Sequence, residues 1–415
     1  MTTPQGSPPR VLISGASIAG PALAFWLNRY GWDTTVVERA AALRDGGQNI
    51  DIRGAAREVL RRAGLEDAAR EATTGELGTR FVGDAGETIA EFPVTDSDTD
   101  GATAEVEILR GDLARIFVDR TESSTDYRYG DRITVLEDDG ARVRVSFEHA
   151  DEEDFDLVIA ADGIRSTTRD LAFGHEAVVR SLGLEMTYLT IPRDDSDVPW
   201  WLWYSGVGGR SITLRPDRHG TTRAVLTEVT KDRGDGVVSE RRDAEAQRRH
   251  LHARFADLPW QATRILDAMD NVDDIYYESI GQVRSPRWAS GRVALLGDAA
   301  WCASPVSGMG TSLSIVGAYV LAGELASHVH HRDAFLGYER IMRPYVEQAQ
   351  SLPPGTPQLA NPTSRAGVGV FRTVLRAAAS KPAKKLGAQL FSPPADRIRL
   401  PEYEHLAPHS GAARR

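Results

Sequence analysis

The chain has 415 residues, enough for about two or three structural units, and a formal net charge of −10 at pH 7. This negative balance argues against nucleic acid as a partner, because phosphate binding needs a concentrated excess of Lys and Arg. The single cysteine excludes an internal disulfide, and the sequence shows no signal-like leader and no apolar run of 18 residues, so we expect a cytoplasmic protein that does not enter a membrane.

The chain opens with a strand, a glycine-containing loop, a helix and a second strand. The apolar run 10–14 is typical of a buried parallel strand, the loop GASIAG follows, and 34–38 is the next strand. Gly15 permits a tight turn and Gly20 lets helix and strand approach closely, while Ser17 stands where the middle glycine of G-x-G-x-x-G is usual. Against the alternative of incidental glycines, the pattern predicts a pyrophosphate at the helix N-terminus, on the backbone of Ser17, Ile18 and Ala19.

Glu38 ends the second strand, 23 residues after Gly15. An acid about 20 residues beyond the glycine loop binds the ribose hydroxyls of a dinucleotide, and its charge opposes a 2′-phosphate. The tightly held nucleotide is therefore predicted to be FAD or NAD rather than NADP.

Two further motifs follow strand-like runs. Asp162 opens the pattern D-G-x-x-S-x-x-R after FDLVIAA, where it is placed to orient a helix N-terminus and Arg169 to pair with a phosphate or carboxylate. Asp298 lies in GDAA after a second apolar run, with Pro305 and Gly308-Met309-Gly310 close behind. A carboxylate at a strand end suits ribityl hydroxyls, and the glycines allow a helix N-terminus to approach a flavin ring. An NAD-dependent dehydrogenase has no use for this last site.

Together these three segments resemble the class A flavoprotein monooxygenases of the para-hydroxybenzoate hydroxylase type. The segments GGQNIDIRG (46–54), ILRGDLARI (108–116) and 297–325 are similar to the branch of tetracycline destructases and polyketide aromatic hydroxylases. The resemblance implies tightly bound FAD, transient use of NADPH or NADH, and transfer of one oxygen atom of O₂ from a C4a-hydroperoxyflavin.

The resemblance also implies roles for individual residues. The ADP half would lie on Gly15, Gly20, Glu38 and Arg39, and the ribityl chain on Asp298; Asp162, Gln48 and Arg110 would lie near the flavin or pyrophosphate. Pro305, Gly308, Met309, Gly310 and Thr311 would line the isoalloxazine, so that Pro305 and Gly308, with Arg53, are the candidate catalytic positions. A surface ion pair is the alternative for Arg53. Trp301 and Ser312 depart from the family's usual His and Asn, and Trp301 could form an apolar wall.

The pieces typical of a nucleotide-binding domain are separated by β-rich stretches, which predicts interleaved domains. We expect an α/β fold in which a Rossmann-like FAD-binding domain interleaves with a β-sheet substrate domain, followed by a C-terminal helical tail. The predicted ranges are 1–74, 100–178 and 284–351 for the FAD-binding domain, 75–99 and 179–283 for the substrate domain, and 352–415 for the C-terminal helix and tail.

An aromatic run marks the predicted substrate sheet. Alternation would put Trp201 and Trp203 on one face of the sheet and Trp200 and Tyr204 on the other. One of these faces could cover an aromatic ligand; the alternative is that the rings only pack within the protein. Arg210, together with Arg215 and His219, could bind a phenolate or carboxylate of the substrate. The alternative for each of them is a solvent-exposed position on a strand. No set of residues has metal-ligand spacing, so no metal is assigned.

The sequence as a whole indicates an FAD-dependent, NAD(P)H-consuming monooxygenase that hydroxylates an aromatic or polyketide-like small molecule, with a place in antibiotic biosynthesis. Epoxidation, Baeyer–Villiger insertion and a non-catalytic flavin protein that sequesters a ligand remain alternatives. Halogenation is disfavoured because W-x-W-x-I-P is absent. The chain is expected to be a monomer or homodimer.

Overall fold

The computed structural model describes residues 7–44, 47–94, 106–235, 243–272, 275–353, 355–380 and 398–406. Those parts of the predicted domains that fall in the gaps or at the two ends of the chain, including 407–415, lie outside the described residues. Within the described chain, no helix combines the length and the apolar character needed to cross a membrane.

A six-stranded sheet carries the first predicted nucleotide-binding motif. Its strands, in spatial order, are β17 (Ala289–Ser290), β18 (Val293–Leu295), β11 (Leu157–Ala160), β1 (Arg10–Ser14), β2 (Asp33–Glu38) and β7 (Thr125–Tyr129). All neighbours pair in parallel except β17 with β18. The central strands are short apolar runs that are almost wholly buried, as a parallel sheet covered on both faces requires.

Helices from distant parts of the chain pack against this sheet and against a second sheet described below. In chain order they are α1 (Ala19–Arg29), α2 (Ala55–Ala63), α3 (Glu66–Glu71), α4 (Arg110–Thr121), α5 (Thr167–Phe173), α6 (Ala244–Phe255), α7 (Ala262–Met269), α8 (Asp298–Trp301), α9 (Gly310–Ser327), α10 (His331–Gln350), α11 (Thr356–Ala360) and α12 (Arg365–Ala378). Short 3₁₀ turns lie at Pro305–Ser307 and Glu404–Leu406. Helix α9 is buried along nearly its whole length and packs against α1, α2 and α10.

A seven-stranded, mainly antiparallel sheet stands beside the first. Its spatial order is β16 (Ile275–Arg284), β12 (Val178–Pro192), β15 (Thr221–Asp235), β14 (Arg210–Pro216), β13 (Trp201–Gly206), β4 (Gly78–Val82) and β5 (Thr88–Pro93). One face, here called the outer face, packs Leu189, Ile212 and Leu226 against α6 and α7. The opposite face, here called the inner face, carries Trp201 and Trp203.

Two small β-structures complete the described fold. A two-stranded ribbon pairs β3 (Asn49–Ile52) with β6 (Val106–Leu109), and a meander joins β8 (Ile133–Asp138), β9 (Val143–Phe147) and β10 (Glu153–Phe155). The predicted fold class, α/β with a parallel Rossmann-like sheet and a second, antiparallel sheet, is confirmed. The predicted domain ranges stay predictions.

The C-terminal region packs against an edge of the second sheet and against helix α9. Phe371 of α12 packs edge-on against Phe81, with ring centroids 6.0 Å apart, at the β4–β5 edge of the second sheet. Tyr403 is buried against Tyr319 and lies over Gly323 of α9. The tail therefore contains the predicted helix together with an anchor on α9.

Candidate functional site

The two outer glycines of the first motif allow close backbone contacts. Gly15 has φ +109°, and a Cβ there would lie 2.5 Å from the Ala161 carbonyl oxygen. A Cβ at Gly20 would lie 2.0 Å from the carbonyl oxygen of Gly15. Only glycine tolerates either position, so the start of α1 is pressed against the end of β1, as a dinucleotide-binding loop requires.

Ser17 and Arg110 meet although 93 residues separate them. The Arg110 Nε atom donates to Ser17 Oγ at 3.0 Å, and the Arg110 backbone N–H donates to the Gln48 carbonyl at 3.1 Å. A guanidinium, a hydroxyl and the N-terminus of α1 thus lie together, which is an arrangement suited to a pyrophosphate. The serine that replaces the middle glycine contributes a hydrogen-bonding group to this site.

Glu38 lies at the end of β2, next to the glycine loop. Its carboxylate accepts hydrogen bonds from the backbone N–H groups of Ala16 at 3.0 Å and Ala40 at 2.9 Å. These bonds hold the carboxylate at the strand end where ribose hydroxyls are bound in such folds. The neighbouring Arg39 side chain is exposed.

Asp162 organises the turn before α5, as the sequence predicted. Its carboxylate accepts from the Ser166 hydroxyl, from the Thr168 backbone N–H at 3.2 Å and from the Thr168 hydroxyl at 3.0 Å. Burial raises its pKa, and these donors oppose that rise. Arg169 pairs with the neighbouring Asp170, and its Nη1 donates to the carbonyls of Ile164 and Ala299, each at 3.1 Å. It thereby ties this turn to the GDAA motif.

Asp298 is the first residue of α8, directly after Gly297, which has φ +64°. Burial raises the pKa of the Asp298 carboxyl, and the positive charge of Arg110 lowers it. A Cβ at Gly297, the residue before Asp298, would lie 3.0 Å from the Cβ atom of Ala19 at the start of α1. The structure thus brings the first and third motifs together.

The loop that follows α8 has a strained backbone. Ser304 has φ +74°, in the left-handed region that L residues rarely adopt, and Gly308 has φ +64°. Such strain concentrates at ligand sites. Pro305 and Gly308 are exposed, Gly310 and Thr311 are half-buried, and the Met309 side chain is fully buried in the core. The sequence did not single out Ser304, whose buried hydroxyl has no hydrogen-bond partner among the described residues.

Glu278 is a second residue that sequence reasoning missed. It lies on β16, paired with Met186 of β12. Burial and the nearby Asp298 raise the pKa of its carboxyl to about 7, while Arg110 and Arg165 oppose that rise. The inner face of the second sheet therefore looks onto the residues of the nucleotide motifs. No sequence pattern marked this glutamate, because only the crossing of the two sheets brings it there.

The aromatic side chains of β13 alternate as predicted. Trp201 and Trp203 lie on the inner face with ring centroids 5.0 Å apart, and Trp203 stacks on Phe81 at 5.5 Å. Tyr204 points to the outer face and packs against Trp260.

The prediction that Arg210 contacts the substrate is corrected by its position. Its guanidinium lies on the outer face, where it pairs with Asp257 and donates to the Arg254 carbonyl. Arg215 is the inner-face arginine of the same strand, and its side chain is only 12% exposed, so it is not a solvated strand residue. His219 pairs with Asp112 at 3.3 Å on a partly exposed surface.

Arg53 and Trp301 also differ from the alternatives considered for them. Arg53 is 1% exposed and pairs with Asp51 at 3.1 Å, so its ion pair is buried rather than on the surface. Its approach to the flavin stays a prediction. Trp301 packs in the core against Trp288 and Tyr338, at 4.4 and 5.7 Å between ring centroids, and is not a wall of the site.

One group within the described chain has metal-ligand spacing. Ligand atoms of Glu185, Glu228 and His250 lie within 4.8 Å of one another on the outer face. Glu228 already accepts from His250 and, at 2.8 Å, from Arg254. The group is therefore an ion-pair cluster as it stands, and we assign no metal to it.

Comparisons with known proteins agree with this geometry. Residues 9–351 match the family model described as FAD binding domain. The chain is 32% identical to the FAD-dependent monooxygenase asL4 of Sarocladium schorii, over 96% of this chain and 98% of that protein. It is 39% identical to an uncharacterized Mycobacterium tuberculosis protein, Rv1260, over 84% of this chain and 94% of the relative.

Solved structures show the same fold. The tetracycline destructase Tet(51) superposes with a TM-score of 0.78 at 30% identity, over 96% of this chain and 100% of that one. Klebsiella pneumoniae HpxO, solved with FAD and uric acid, superposes with a TM-score of 0.72 at 22% identity, over 93% of this chain and 97% of that one, which supports the fold alone.

Proposed function

The chain belongs to the family of FAD-dependent monooxygenases, and from this premise we propose that it hydroxylates an aromatic or polyketide-like small molecule bearing carbonyl or phenolic oxygens. The observation that carries the proposal is the aromatic inner face of the second sheet, which lies opposite the nucleotide motifs. Trp201, Trp203 and Phe81 contact one another on this face, and α12 covers part of it, because Phe371 packs on Phe81 and belongs to the same apolar cluster as Trp203.

The residues of the nucleotide motifs fit FAD. The paired Ser17 and Arg110, beside the N-terminus of α1, would hold the pyrophosphate, and Glu38 would hold the adenosine ribose. Asp298 would accept from the ribityl chain, and the exposed backbone at Pro305 and Gly308 would leave room for the ring. FAD supplies the electron storage and oxygen activation, with NADPH or NADH as the reductant. The protein supplies orientation and exclusion of water.

The inner face suits a flat, oxygen-bearing ligand. Trp and Phe rings offer a large apolar contact area for an aromatic system. The indole nitrogens of Trp201 and Trp203 and the hydroxyl of Ser205 are buried and have no hydrogen-bond partner among the described residues. An unsatisfied buried donor costs about 1–3 kcal/mol. A substrate whose oxygens reach these donors would therefore be favoured over a hydrocarbon of the same shape.

The test is a panel of phenols, quinones and polycyclic polyketides added to the FAD-loaded protein. We expect some members to stimulate NAD(P)H consumption and to gain one oxygen atom, measured by mass spectrometry with ¹⁸O₂. The structure of the product distinguishes hydroxylation from epoxidation and from Baeyer–Villiger insertion.

Neighbouring positions on β13 provide a matched pair of variants. Trp203→Leu removes an inner-face ring and should raise KM for the stimulating compound about tenfold or more. Tyr204→Phe changes the outer face, where the hydroxyl donates to Asp84 at 3.2 Å, and should leave KM unchanged. Binding of compounds without any stimulated NAD(P)H consumption would instead indicate a protein that sequesters its ligand. If the two variants had equal KM values, the inner face would not be the surface that binds the substrate.

A further inference from the structure

A buried group of charged side chains joins the β3–β6 ribbon to the second sheet. The Arg215 guanidinium donates to both carboxylate oxygens of Glu76, at 3.0 and 3.2 Å, and also pairs with Glu107 of β6. Asn49 of β3 donates to the same Glu76 carboxylate at 2.9 Å. The side chains of Glu76 and Glu107 are 1% and 3% exposed, so the contact between ribbon and sheet is closed to water.

Two more charged residues of the ribbon lie beside this group. Asp51 lies opposite Glu107 in the ribbon and pairs with Arg53 at 3.1 Å. Burial raises the pKa of Glu76 to about 7, with Asp51 adding to the rise and Arg215 and Asn49 opposing it. Burial therefore favours the neutral form of the Glu76 carboxyl more strongly than water does.

The same guanidinium reaches the aromatic inner face. Arg215 Cζ lies 4.1 Å from the centroid of the Trp201 ring, within the range of a cation–π contact. Trp201 in turn contacts Trp203. Arg215 is thus held by two carboxylates, Glu107 of the ribbon and Glu76 in the segment just before β4, and its guanidinium also lies against the indole of Trp201.

We propose that Glu76 is a positioning residue of this monooxygenase: by fixing the Arg215 guanidinium against Trp201, it sets the orientation of the indole that contacts the substrate. The inference rests on the proposed function, in which the inner face binds the substrate. Because a bidentate Arg–carboxylate pair is planar and directional, loss of the Glu76 charge frees the guanidinium to tilt and the indole with it. Substrate affinity should then depend on the protonation of Glu76.

The chain offers a matched control on the same sheet. Arg80 lies 4.5 Å above the Trp200 ring and pairs with Glu91 at 2.7 Å. In the sheet, Arg80 of β4 lies next to Leu202 of β13, an outer-face residue, so Arg80 is also on the outer face. Its ion pair with Glu91 is partly exposed. Arginine, carboxylate and tryptophan recur there on the outer face, whereas Arg215 and Trp201 lie on the inner face.

The experiment uses FAD-loaded enzyme labelled with 5-fluorotryptophan, in which each of the eight tryptophans gives a ¹⁹F resonance. Trp201→Phe and Trp200→Phe assign the two signals of interest. We expect the Trp201 resonance to move between pH 5.5 and 8.5 with a midpoint near 7, and the movement to vanish in Glu76→Gln. The Trp200 resonance should not follow this titration, and Arg80→Gln should leave the Trp201 titration intact.

Kinetics then link the indole to the substrate. With a compound that stimulates turnover, Glu76→Gln should raise KM about tenfold and change kcat less than about threefold, and its KM should lose the pH dependence of the wild type. Arg215→Lys, which keeps the charge but not the planar fork, should raise KM similarly and serves if Glu76→Gln does not fold.

Three outcomes would overturn the inference. They are a Trp201 resonance that does not change with pH, a pH titration of this resonance that persists in Glu76→Gln, and an unchanged KM in a variant whose Trp201 resonance has moved. The resonance measurements need no substrate. A compound panel without turnover would therefore count against the proposed function and not against the control of Trp201 by Glu76.

Discussion

Gly20→Ala adds one methyl group and should nevertheless weaken cofactor binding strongly. The added Cβ would lie 2.0 Å from the carbonyl oxygen of Gly15, whereas non-bonded carbon contacts prefer about 3.5 Å. The start of α1 must therefore retreat from β1 by about 1.5 Å. The Gly15 carbonyl oxygen is a backbone atom and the new Cβ is bonded to the backbone, so no flexible side chain can move to relieve the contact.

The retreat should cost stability and affinity together. Overpacking by one methyl group costs about 1–3 kcal/mol, and we expect the upper end here. A displacement of this size at a positioned group is worth about 100-fold, so the dissociation constant for FAD should rise by about that factor. Urea denaturation of the apoprotein gives the first quantity, and recovery of free flavin fluorescence on dilution gives the second.

A second glycine-to-alanine change supplies the control. Gly369 lies inside α12, has no positive φ, and a Cβ there would meet nothing within 4 Å. Gly369→Ala should stabilise the protein by about 0.5–1 kcal/mol through helix propensity and leave FAD affinity unchanged. If Gly20→Ala bound FAD as tightly as Gly369→Ala, the proposed approach of the α1 N-terminus to the pyrophosphate would be refuted.

Three other perturbations have defined outcomes. Asp298→Ala should release flavin, so that the purified protein is colourless near 450 nm; full retention of flavin would contradict the ribityl assignment. The pKa of Glu278 is raised from 4.5 to about 7 in the folded apoprotein. Its contribution to the free energy of unfolding is therefore greatest below about pH 4.5, and about 3 kcal/mol of it is lost as the pH rises to about 7. In urea titrations Glu278→Gln should flatten that part of the dependence of stability on pH, and an unaltered slope would show that the carboxyl is not buried as described. Gly323→Ala puts a Cβ 2.1 Å from the Tyr403 ring and should displace 398–406, detected as faster proteolysis of the C-terminus than in wild type; equal rates would show that the ring is not held there.

The parts of the fold that the sequence predicted are those specified by local patterns. The βαβ unit at 10–38 follows from two apolar runs and two glycines whose packing admits no other residue. Alternation along 201–204 placed the aromatic side chains on the correct faces, because the side-chain period of a strand is two whatever lies around it.

The parts that could not be predicted depend on which strands become neighbours. Alternation alone does not say which face of β14 is inner, so the sequence cannot separate Arg210 from Arg215, which lie on opposite faces of that strand. Glu76 and Glu107 are separated in sequence from Arg215 by more than 100 residues, and neither belongs to a motif. Their meeting is a result of how the β3–β6 ribbon packs beneath the second sheet. Ser304 was missed because its strained φ has no signature in residue type.

The order of strands in the first sheet bears on how the protein is made. Neighbours β11 and β18 are separated by the second sheet's long insertion, and Asp298 follows immediately after β18. A ribosome that adds about 5–20 residues per second must therefore work for about 7–27 s after Ala160 is made before it reaches Val293 of β18, which covers the edge of β11. During that interval an apolar strand edge is open to other chains. The yield of active enzyme should thus depend on chaperone supply during synthesis as well as on the stability of the finished fold.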